Sequence, residues 1–360
     1  MTLRSFADVS YLPFLSLRPA EMRALEELPG STKDRLLPLV HLRPWTTAFQ
    51  LQSGLDRLTE AYGIRPTVIA VGREEQAISL RPVHAELAKL RYSDGGYANW
   101  CDFIADEGHE HFIPAVQIED EGHIEQQVGC FYELGRGLFV IIPRGALGGL
   151  RRLVTTIAAQ TDRGRNTCFV IDEGVMSRDS LERSVFLVGY CSTIREICPE
   201  ATISISGSSF PESFTSITNQ EIFERTVFDT VVSRVGRDRM IYSDRGSARV
   251  ERQQGGGGLP KPRIDYPQPG RWSFFRSADD EGFAGYQAMA TALRRAQPPI
   301  FDDLLRIWGT LMIERTANGD TSAIKTPARS TAVRINLHLH RQTFFGDPIG
   351  LYDTEDDWQG

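Results

Sequence analysis

Charged and hydroxyl-bearing side chains recur where short apolar runs end, along the first two thirds of the sequence. In chain order these ends carry Arg18, His41 with Arg43, Arg73, Glu119, Arg144, Asp172 with Glu173, Ser206 with Ser208 and Ser209, and Arg234. Guanidinium groups bind phosphate through charge-assisted hydrogen bonds, and they repel one another unless an anion or carboxylates lie among them. If the fold gathers these ends, we expect the arginines to bind a nucleotide or another phosphorylated small molecule. The arginines assigned to this ligand are Arg18, Arg43, Arg144 and Arg234. The alternative for each arginine is an outward contact with a loop or a helix end.

Two carboxylates and one turn add catalytic and binding candidates. Asp172 ends the apolar run CFVID, where a carboxylate suits a general base or a metal ligand, and Glu119 is the second catalytic candidate. A structural role as a loop cap is the alternative for Asp172. The turn SGSSFP at residues 206–211 offers successive amides and hydroxyls that can hold an anion, so Ser208 and Ser209 are predicted ligand contacts. Ser208 is not favoured as a nucleophile, because the turn lacks the second glycine of a GxSxG elbow.

His338 and His340 alternate on a predicted strand near the end of the sequence. Alternate residues of a strand face the same way, so both rings could share a phosphate or a metal. Both histidines are therefore catalytic candidates. A divalent metal is not favoured, because no further metal-ligand pattern accompanies the pair, and the cofactor stays unknown. A structural pair, or histidines that hydrogen-bond a ligand, is the better interpretation.

The elements that carry these residues alternate short β-branched runs with amphipathic stretches. The predicted strands cover residues 11–17, 36–41, 66–71, 112–118, 138–143, 167–172, 202–206 and 227–233. Helix candidates such as residues 50–62 and 147–160 lie between them. This α/β pattern predicts a (β/α)8 TIM-barrel-like domain at residues 1–235, and a doubly wound open sheet is the alternative. In a barrel, the βα loops converge at the carboxyl ends of the strands, where ligands bind.

The pattern changes after residue 235. A glycine-rich loop at residues 255–262 has no following Lys-Ser/Thr, so it is not a phosphate-binding Walker loop. Strands at 263–266 and 272–276, helices at 282–296 and 302–315, and a final strand at 331–340 predict a C-terminal α+β extension over residues 236–345 packed on the barrel. Residues 346–360 form an acidic tail.

Composition excludes several classes of protein. The net charge is −7, which disfavours a protein that coats nucleic acid through a basic face, so a nucleic-acid partner is not expected. The apolar runs are too short to span a bilayer, and the N-terminus lacks a secretory pattern, so we expect a cytoplasmic protein with no membrane partner. Five cysteines without a CxxC pair predict reduced thiols.

Several segments together resemble one known family. They are YLPFLSLRPAEMRAL at residues 11–25, Leu37-Pro38-Leu39, Asp172, Ser208-Ser209-Phe210-Pro211, Ser233-Arg234, Tyr242-Ser243-Asp244, Arg263 to Tyr266 before Trp272 and Arg276, and the closing Asn336-Leu337-His338-Leu339-His340. In this order and spacing they resemble the beta protein family, named for a bacteriophage T4 protein, over about residues 10–345. The resemblance implies a barrel-like fold and an association with phages and defence loci, and it adds Tyr266 and Arg276 to the expected ligand-binding residues. The chain departs from the family pattern at Leu339, which splits two usually adjacent histidines, and at Gly236, where an acidic residue is usual.

Two functions follow from the residues and the resemblance. The first is a protein of phage–host conflict, acting in anti-phage defence or as its phage-encoded counterpart, with an arginine-lined pocket. As an enzyme it would cleave a phosphate ester or a glycosidic bond of a nucleotide, with Asp172 as the base. The alternative is a non-catalytic antitoxin, inhibitor or sensor that binds a protein encoded nearby, with exposed aromatic anchors. The candidate anchors are Trp45, Trp100, Trp272 and Trp308, although packing in the core is the commoner role of a tryptophan.

Overall fold

The computed structural model describes residues 6, 9–73, 80–214, 217–249, 260–278 and 282–354. The strands are β1 (Tyr11–Ser16), β2 (Leu39–Leu42), β3 (Thr67–Val71), β4 (Phe112–Val116), β5 (Leu138–Pro143), β6 (Thr167–Val175), β7 (Thr202–Ser208), β8 (Asn219–Glu221), β9 (Met240–Asp244), β10 (Arg263–Pro267) and β11 (Arg271–Arg276). The α-helices are α1 (Pro19–Glu26), α2 (Gly30–Arg35), α3 (Gln52–Tyr62), α4 (Pro82–Lys89), α5 (Asp94–Ala105), α6 (Ile124–Glu133), α7 (Leu150–Gln160), α8 (Ser184–Ile197), α9 (Phe223–Val235), α10 (Phe283–Arg294), α11 (Trp308–Ala317), α12 (Pro327–Thr343) and α13 (Pro348–Tyr352). In this part of the chain, no helix combines the length and the apolar character needed to cross a membrane.

The described residues form two compact units that alternate along the sequence. The barrel unit contains the residues up to Arg18, Leu36–Gly207 and Phe223–Arg245, and the α+β unit contains Pro19–Arg35, Ser208–Ile222 and the residues from Gly246 onward. The barrel unit thus runs to Arg245, whereas the sequence pattern ends the barrel at residue 235. Of the predicted acidic tail, residues 355–360 lie outside the described residues, as do residues 255–259 of the glycine-rich loop.

Eight parallel strands close into a barrel in the order β1-β2-β3-β4-β5-β6-β7-β9. The predicted TIM-barrel-like fold is therefore confirmed, and the alternative of an open doubly wound sheet is wrong. The ring closes because β1 pairs with β2 on one side and with β9 on the other, where Tyr11 lies opposite Tyr242. Alternate residues of each strand fill the barrel interior with apolar side chains, among them Leu12, Phe139 and Val170.

Polar side chains on the last strand fasten the barrel where it closes. The hydroxyls of Tyr11 and Tyr242 both donate hydrogen bonds to the carboxylate of Asp244, which is fully buried. The guanidinium of Arg225 on α9 lies 3.3 Å from the centroid of the Tyr242 ring. Burial, and then the charge of Asp244, raise the pKa of both tyrosines well above the usual value, so both remain hydrogen-bond donors at neutral pH. Strand β1 is thereby joined to β9 by side chains as well as by the backbone.

The eighth barrel strand was predicted in the wrong place. Residues 227–233 lie within α9, and the eighth strand is β9. The run of β-branched residues there indicates a strand, but Val227, Phe228 and Val231 are buried at the spacing of one helix face. Arg234 consequently lies in the last turn of a helix, exposed, and does not follow a strand.

The α+β unit contains a small sheet and the helices from both ends of the described chain. Its sheet is antiparallel in the order β10-β11-β8. A cluster of buried apolar residues joins β10 with α10, α11 and α12, and Tyr266, Trp308 and Leu337 belong to it. Helix α1, which follows the first barrel strand in sequence, packs on α12 in this unit. The α+β unit therefore includes residues that precede the second barrel strand in sequence.

The predicted final strand at residues 331–340 is helix α12. The Thr326 side chain caps this helix by accepting a hydrogen bond from the Arg329 amide at 3.2 Å, and Pro327 occupies its first turn. The helix is buried on nearly every side, so its sequence lacks the contrast between an apolar and a polar face that marks a surface helix. His338 and His340 therefore do not share one face of a strand, and the prediction that both rings face the same way is wrong.

Candidate functional site

The carboxyl end of the barrel gathers polar side chains that face its axis. His41 on β2 follows the interior residue Leu39 by two positions, and Asp172 on β6 follows Val170 in the same way. Arg245 comes directly after β9. The strands place these three side chains at one end of the barrel, where TIM barrels bind their ligands.

Asp172 and Arg245 form an ion pair in this group. Nη2 of Arg245 lies 2.5 Å from Oδ2 of Asp172, and the amide of Gly174 donates to Oδ1 at 3.2 Å. The two charged side chains are 13% and 14% exposed, so solvent screens the pair only in part. The guanidinium of Arg245 also lies 4.8 Å from the centroid of the Phe14 ring. Both oxygens of Asp172 are thus engaged, and Arg245 is held in one position.

The pKa of His41 is lowered by its burial and by the positive charges near it. Burial is the largest cause that lowers the pKa of His41, and the positive charges of Arg245, Arg43 and Arg73 lower it further, to about 3. The imidazole is therefore neutral at physiological pH. We name His41, Arg43, Arg73, Asp172 and Arg245 the mouth cluster. Its three guanidiniums and one carboxylate give it a net charge of +2.

Several buried polar atoms near this end form no hydrogen bond with the described residues. They are Nε2 of His41, Nε of Arg245 and the hydroxyl of Ser206. Ser206 lies on β7, the strand between β6 and β9, and it is fully buried. Because most buried polar atoms in proteins have a partner, these three atoms indicate where an oxygen-rich ligand or water binds.

The other predicted residues of the barrel lie apart from the mouth cluster. Glu173 forms a two-pronged ion pair with Arg183, at 2.6 Å and 2.9 Å, and is buried. Glu119 and Arg144 are exposed beyond the ends of β4 and β5, and Arg18 is half-buried after β1. Arg43 and Asp172 are therefore the predicted site residues that the structure places in the mouth cluster.

Arg245 is the member of this cluster that the sequence analysis missed. The reason is the misplaced eighth strand, since Arg245 follows β9 and not the stretch at residues 227–233. A usable signal is present in the run MIYSDR at residues 240–245, a short strand-like segment followed by an arginine, as β1, β2, β3 and β5 are followed by Arg18, Arg43, Arg73 and Arg144.

Ser208 and Ser209 of the 206–211 turn form hydrogen bonds with backbone groups. The hydroxyl of Ser208 donates to the Ala248 carbonyl at 2.7 Å and accepts from the Phe210 amide at 3.1 Å. The hydroxyl of Ser209 donates to the Glu221 carbonyl at 3.0 Å. These contacts fasten the turn and give both hydroxyls structural partners.

Three predicted residues of the α+β unit have defined structural contacts. His340 bonds the Thr32 hydroxyl through Nδ1 and the Leu351 carbonyl through Nε2, each at 2.8 Å. His338 is buried and stacks on Trp272 with ring centroids 5.8 Å apart. The buried Tyr266 hydroxyl accepts from Arg341 Nη2 at 2.9 Å and from the Asp302 amide at 3.1 Å. The fourth predicted residue, Arg276, lies beside other arginines near the buried Asp265.

Two further expectations bear on metals and partners. Within the described ranges, no group of three or more His, Cys, Asp and Glu side chains could hold a metal ion. Trp100, Trp272 and Trp308 are buried at 0%, 0% and 2% exposure, so their assignment as exposed anchors for a partner is wrong. Trp45 is half-buried.

A cavity of about 470 Å³ lies outside the barrel at helices α3, α4 and α5. Its wall is formed by Gln50, Leu51, Gln52, Leu55, Glu86, Lys89, Leu90, Asn99, Asp102, Phe103, Asp106 and His109. None of these is a residue of the mouth cluster. The mouth cluster is the stronger candidate site, because it combines buried polar atoms that have no partner among the described residues with the positive charges of three arginines.

Comparison with known proteins identifies relatives along the whole chain. The profile of the family described as Beta protein matches residues 11–344. Protein beta of Enterobacteria phage P4 is 28% identical over 366 residues, which cover 98% of this chain and 98% of the phage protein. This relative comes from phage P4, so the attribution to phage T4 is wrong.

A solved structure with weak similarity is the carboxyl transferase domain of Rhizobium etli pyruvate carboxylase with 3-bromopyruvate. The alignment covers 94% of this chain, with a TM-score of 0.39 and 9% identity. This chain spans about half, 52%, of the length of that structure. A similarity of this size supports no inference about function.

Proposed function

The chain belongs to the beta protein family, with a phage protein as its relative, and we propose that its barrel binds a phosphorylated small molecule, such as a nucleotide, at the mouth cluster. The observation that carries the proposal is the group of buried polar atoms of His41, Arg245 and Ser206 that have no partner among the described residues, where the charges of Arg43, Arg73 and Arg245 also act on His41. A phosphate group needs several donors and positive charges, and guanidiniums are the side chains best suited to supply them.

The donors near the mouth cluster match the acceptors of a phosphate. Nε of Arg245 and the hydroxyl of Ser206 are buried donors with no partner among the described residues. A phosphate oxygen that accepts from them would remove the cost of leaving them unpaired. The neutral His41 ring can donate or accept a hydrogen bond there without adding a further positive charge.

The contacts of Asp172 favour binding over catalysis. One oxygen is bonded to Arg245 and the other to the Gly174 amide, so the carboxylate positions the guanidinium. Hydrolysis of a phosphate ester or a glycosidic bond, with Asp172 as the base, stays a prediction. Replacing Asp172 with asparagine tests it, because a base is lost while the shape of the side chain is kept.

The biological setting rests on the family. The relative is a phage protein, which supports a role in phage–host conflict, either in defence or as a phage-encoded counterpart. The alternative of a non-catalytic antitoxin, inhibitor or sensor stays a prediction. A protein partner encoded nearby and a cytoplasmic location stay predictions as well.

The experiment is a calorimetric titration of the full chain with pyrophosphate and with ATP. We expect Arg245→Ala to weaken binding by about tenfold or more, because it removes two donors and a charge. Arg151→Ala is the matched control, since Arg151 is an exposed arginine on α7 that pairs with Glu196. Binding that is unchanged in Arg245→Ala, or equally weakened in Arg151→Ala, would contradict the proposal.

A further inference from the structure

A second group of arginines surrounds Asp265 in the α+β unit. Asp265 lies on β10 and is 2% exposed. Its Oδ2 is 2.7 Å from Nη1 of Arg334 and 3.2 Å from Nε of Arg263. Arg249 and Arg276 are close enough for the charge of Asp265 to act on both. We name these five residues the Asp265 cluster.

Positive charge exceeds negative charge around Asp265. Two guanidiniums pair with Asp265, and its charge also acts on those of Arg249 and Arg276. Among the described residues, Glu212 also acts on Arg249, so two carboxylates against four cations give these six side chains a net charge of +2. Like charges held together at low exposure destabilise a fold unless a counter-ion or hydrogen-bond acceptors accompany them.

Aromatic rings fix the orientation of these guanidiniums. Arg249, Arg263 and Arg276 lie 5.2, 4.5 and 3.7 Å from the centroid of the Phe214 ring. The guanidinium of Arg334 lies 4.2 Å from the centroid of the Phe210 ring. Stacking on a ring uses the flat face of a guanidinium, so its edge N–H groups can donate to acceptors. Nη1 of Arg276 donates to the Phe214 carbonyl at 2.7 Å, and Nε of Arg249 donates to the Pro211 carbonyl at 2.9 Å.

Polar atoms in the cluster form no hydrogen bond with the described residues. Arg334 is 4% exposed and its Nε has no such partner, and the same holds for Nε and Nη2 of Arg276. The second carboxylate oxygen of Asp265, Oδ1, also forms no such hydrogen bond. The cluster thus offers several donors and one acceptor at one place. Phosphate oxygens match the donors, and a hydroxyl group matches the acceptor.

We propose that the Asp265 cluster binds a phosphate monoester that also carries a hydroxyl group, as sugar phosphates and nucleotides do. The side chain of Arg263 is 25% exposed and Arg276 is half-buried, so these two form the entrance. Arg334 supplies a buried charge behind them. This site belongs to the α+β unit and is additional to the site proposed for the barrel.

The electrostatics of the cluster agree with this role. Burial is the largest cause that lowers the pKa of Arg276 and of Arg334, each to about 10. Both guanidiniums remain charged at neutral pH, and an anion beside them would favour the charged form further. Binding of a phosphate is thus expected to offset the cost of holding these charges together.

The test uses the full chain and three probes: ribose 5-phosphate, inorganic phosphate and ribose. Titrations are made in an Arg245→Ala background, so that the contribution of the site proposed for the barrel is reduced. We expect ribose 5-phosphate to bind more tightly than inorganic phosphate, and ribose to bind more weakly than both. Adding Arg276→Ala should weaken ribose 5-phosphate binding by about tenfold or more.

Arg271→Ala is the matched control, because Arg271 is an exposed arginine on the same strand, β11. We expect it to leave the affinity for ribose 5-phosphate within about twofold of the background. Absence of ribose 5-phosphate binding in the Arg245→Ala background, or equal losses in Arg276→Ala and Arg271→Ala, would overturn the proposal.

Arg276→Lys covers the case in which Arg276→Ala does not fold. It keeps the charge and removes the forked donor, so we expect weaker binding of ribose 5-phosphate than in the background. An unchanged affinity in Arg276→Lys would also overturn the proposal. A failure of pyrophosphate to bind the wild-type chain through Arg245 would concern the barrel alone, so the two proposals can fail separately.

Discussion

The mouth cluster and the Asp265 cluster assemble the same kinds of side chain in different ways. In the barrel, residues after three separate strands surround one neutral histidine, and Asp172 pairs with a single arginine. In the α+β unit, one buried carboxylate holds two arginines, and two phenylalanines hold the guanidiniums by their faces. The comparison shows two ways to hold an excess of positive charge: at the ends of barrel strands, where Arg245 alone has a ring contact described, with Phe14, or with every guanidinium beside a phenylalanine ring. The arginines of the mouth cluster therefore depend mainly on the positions of the strand ends, whereas the arginines of the Asp265 cluster are held by contact with aromatic rings.

Replacing the carboxylates should separate the clusters most strongly. Asp265→Asn leaves Arg334 buried without a counter-ion, so we expect the free energy of unfolding to fall by about 3–5 kcal/mol. Asp172→Asn removes a partner from a pair that is partly exposed, and we expect a loss of about 1–2 kcal/mol. Urea unfolding of both variants at neutral pH measures the difference. Equal losses would mean that the Asp265 cluster is not more strongly coupled to packing.

Acid should destabilise both units through buried histidines. Burial lowers the pKa of His41 to about 3 and that of His340 to about 4, whereas an unfolded histidine titrates near 6.5. Between these values the unfolded chain binds more protons, so stability is full above about pH 6.5 and falls as the pH decreases. We expect each histidine to account for about 3 kcal/mol by pH 4.

The histidine prediction is checked by unfolding at a series of pH values. His41→Gln and His340→Gln should each flatten the dependence of unfolding free energy on pH between 7 and 4, because neither glutamine takes up a proton. A wild-type slope in both variants would assign the acid sensitivity to other groups.

A glycine at the barrel mouth tests whether backbone position controls the mouth cluster. A Cβ on Gly72 would lie 2.6 Å from the Leu42 carbonyl oxygen and 3.3 Å from Cγ of Arg43. Gly72→Ala should therefore displace the ends of β2 and β3, lower the unfolding free energy by about 1–2 kcal/mol and weaken pyrophosphate binding. Gly145→Ala follows β5, where no atom lies within 4 Å of the added Cβ, so it should change neither quantity. Similar results for both alanines would argue against backbone control.

The smallest effect is expected from the outer surface of the barrel. Arg151 and Glu196 are 62% and 64% exposed and form a bidentate pair. Solvent and salt screen such a pair, so Arg151→Ala should leave the unfolding midpoint unchanged within error. A clear shift in that midpoint would mean that surface charges contribute to stability as the two clusters do.

The barrel strands could be predicted from the sequence because they are buried on both faces. Runs such as residues 138–143 and 167–172 are continuous apolar segments, and the strands found there begin at the predicted residues. Eight such units in series match the length of a (β/α)8 barrel, whereas closure could not be told from an open doubly wound sheet, which has the same local pattern. Positions that depend on this alternation, such as Asp172 and Arg43, could therefore be assigned to the carboxyl ends of strands.

The wrong predictions concern segments whose local sequence pattern does not match their burial in the folded protein. Residues 227–233 carry strand-forming side chains, but the helix that they form buries one face against the barrel. Helix α12 is buried almost all around, so it shows no helical contrast in polarity. The Asp265 cluster could not be predicted, because Arg334 and Asp265 lie 69 positions apart and meet only through the packing of α12 on β10.

Closure through Asp244 also sets an order of events during synthesis. Tyr11 and Asp244 are 233 positions apart, so β1 leaves the ribosome long before its second neighbour exists. Until residues 240–244 emerge, one side of β1 has unsatisfied amides and carbonyls, which is the condition under which strands pair with other chains. The time between making the first strand and making the last is therefore the period in which the edge of β1 is open to pairing with another chain.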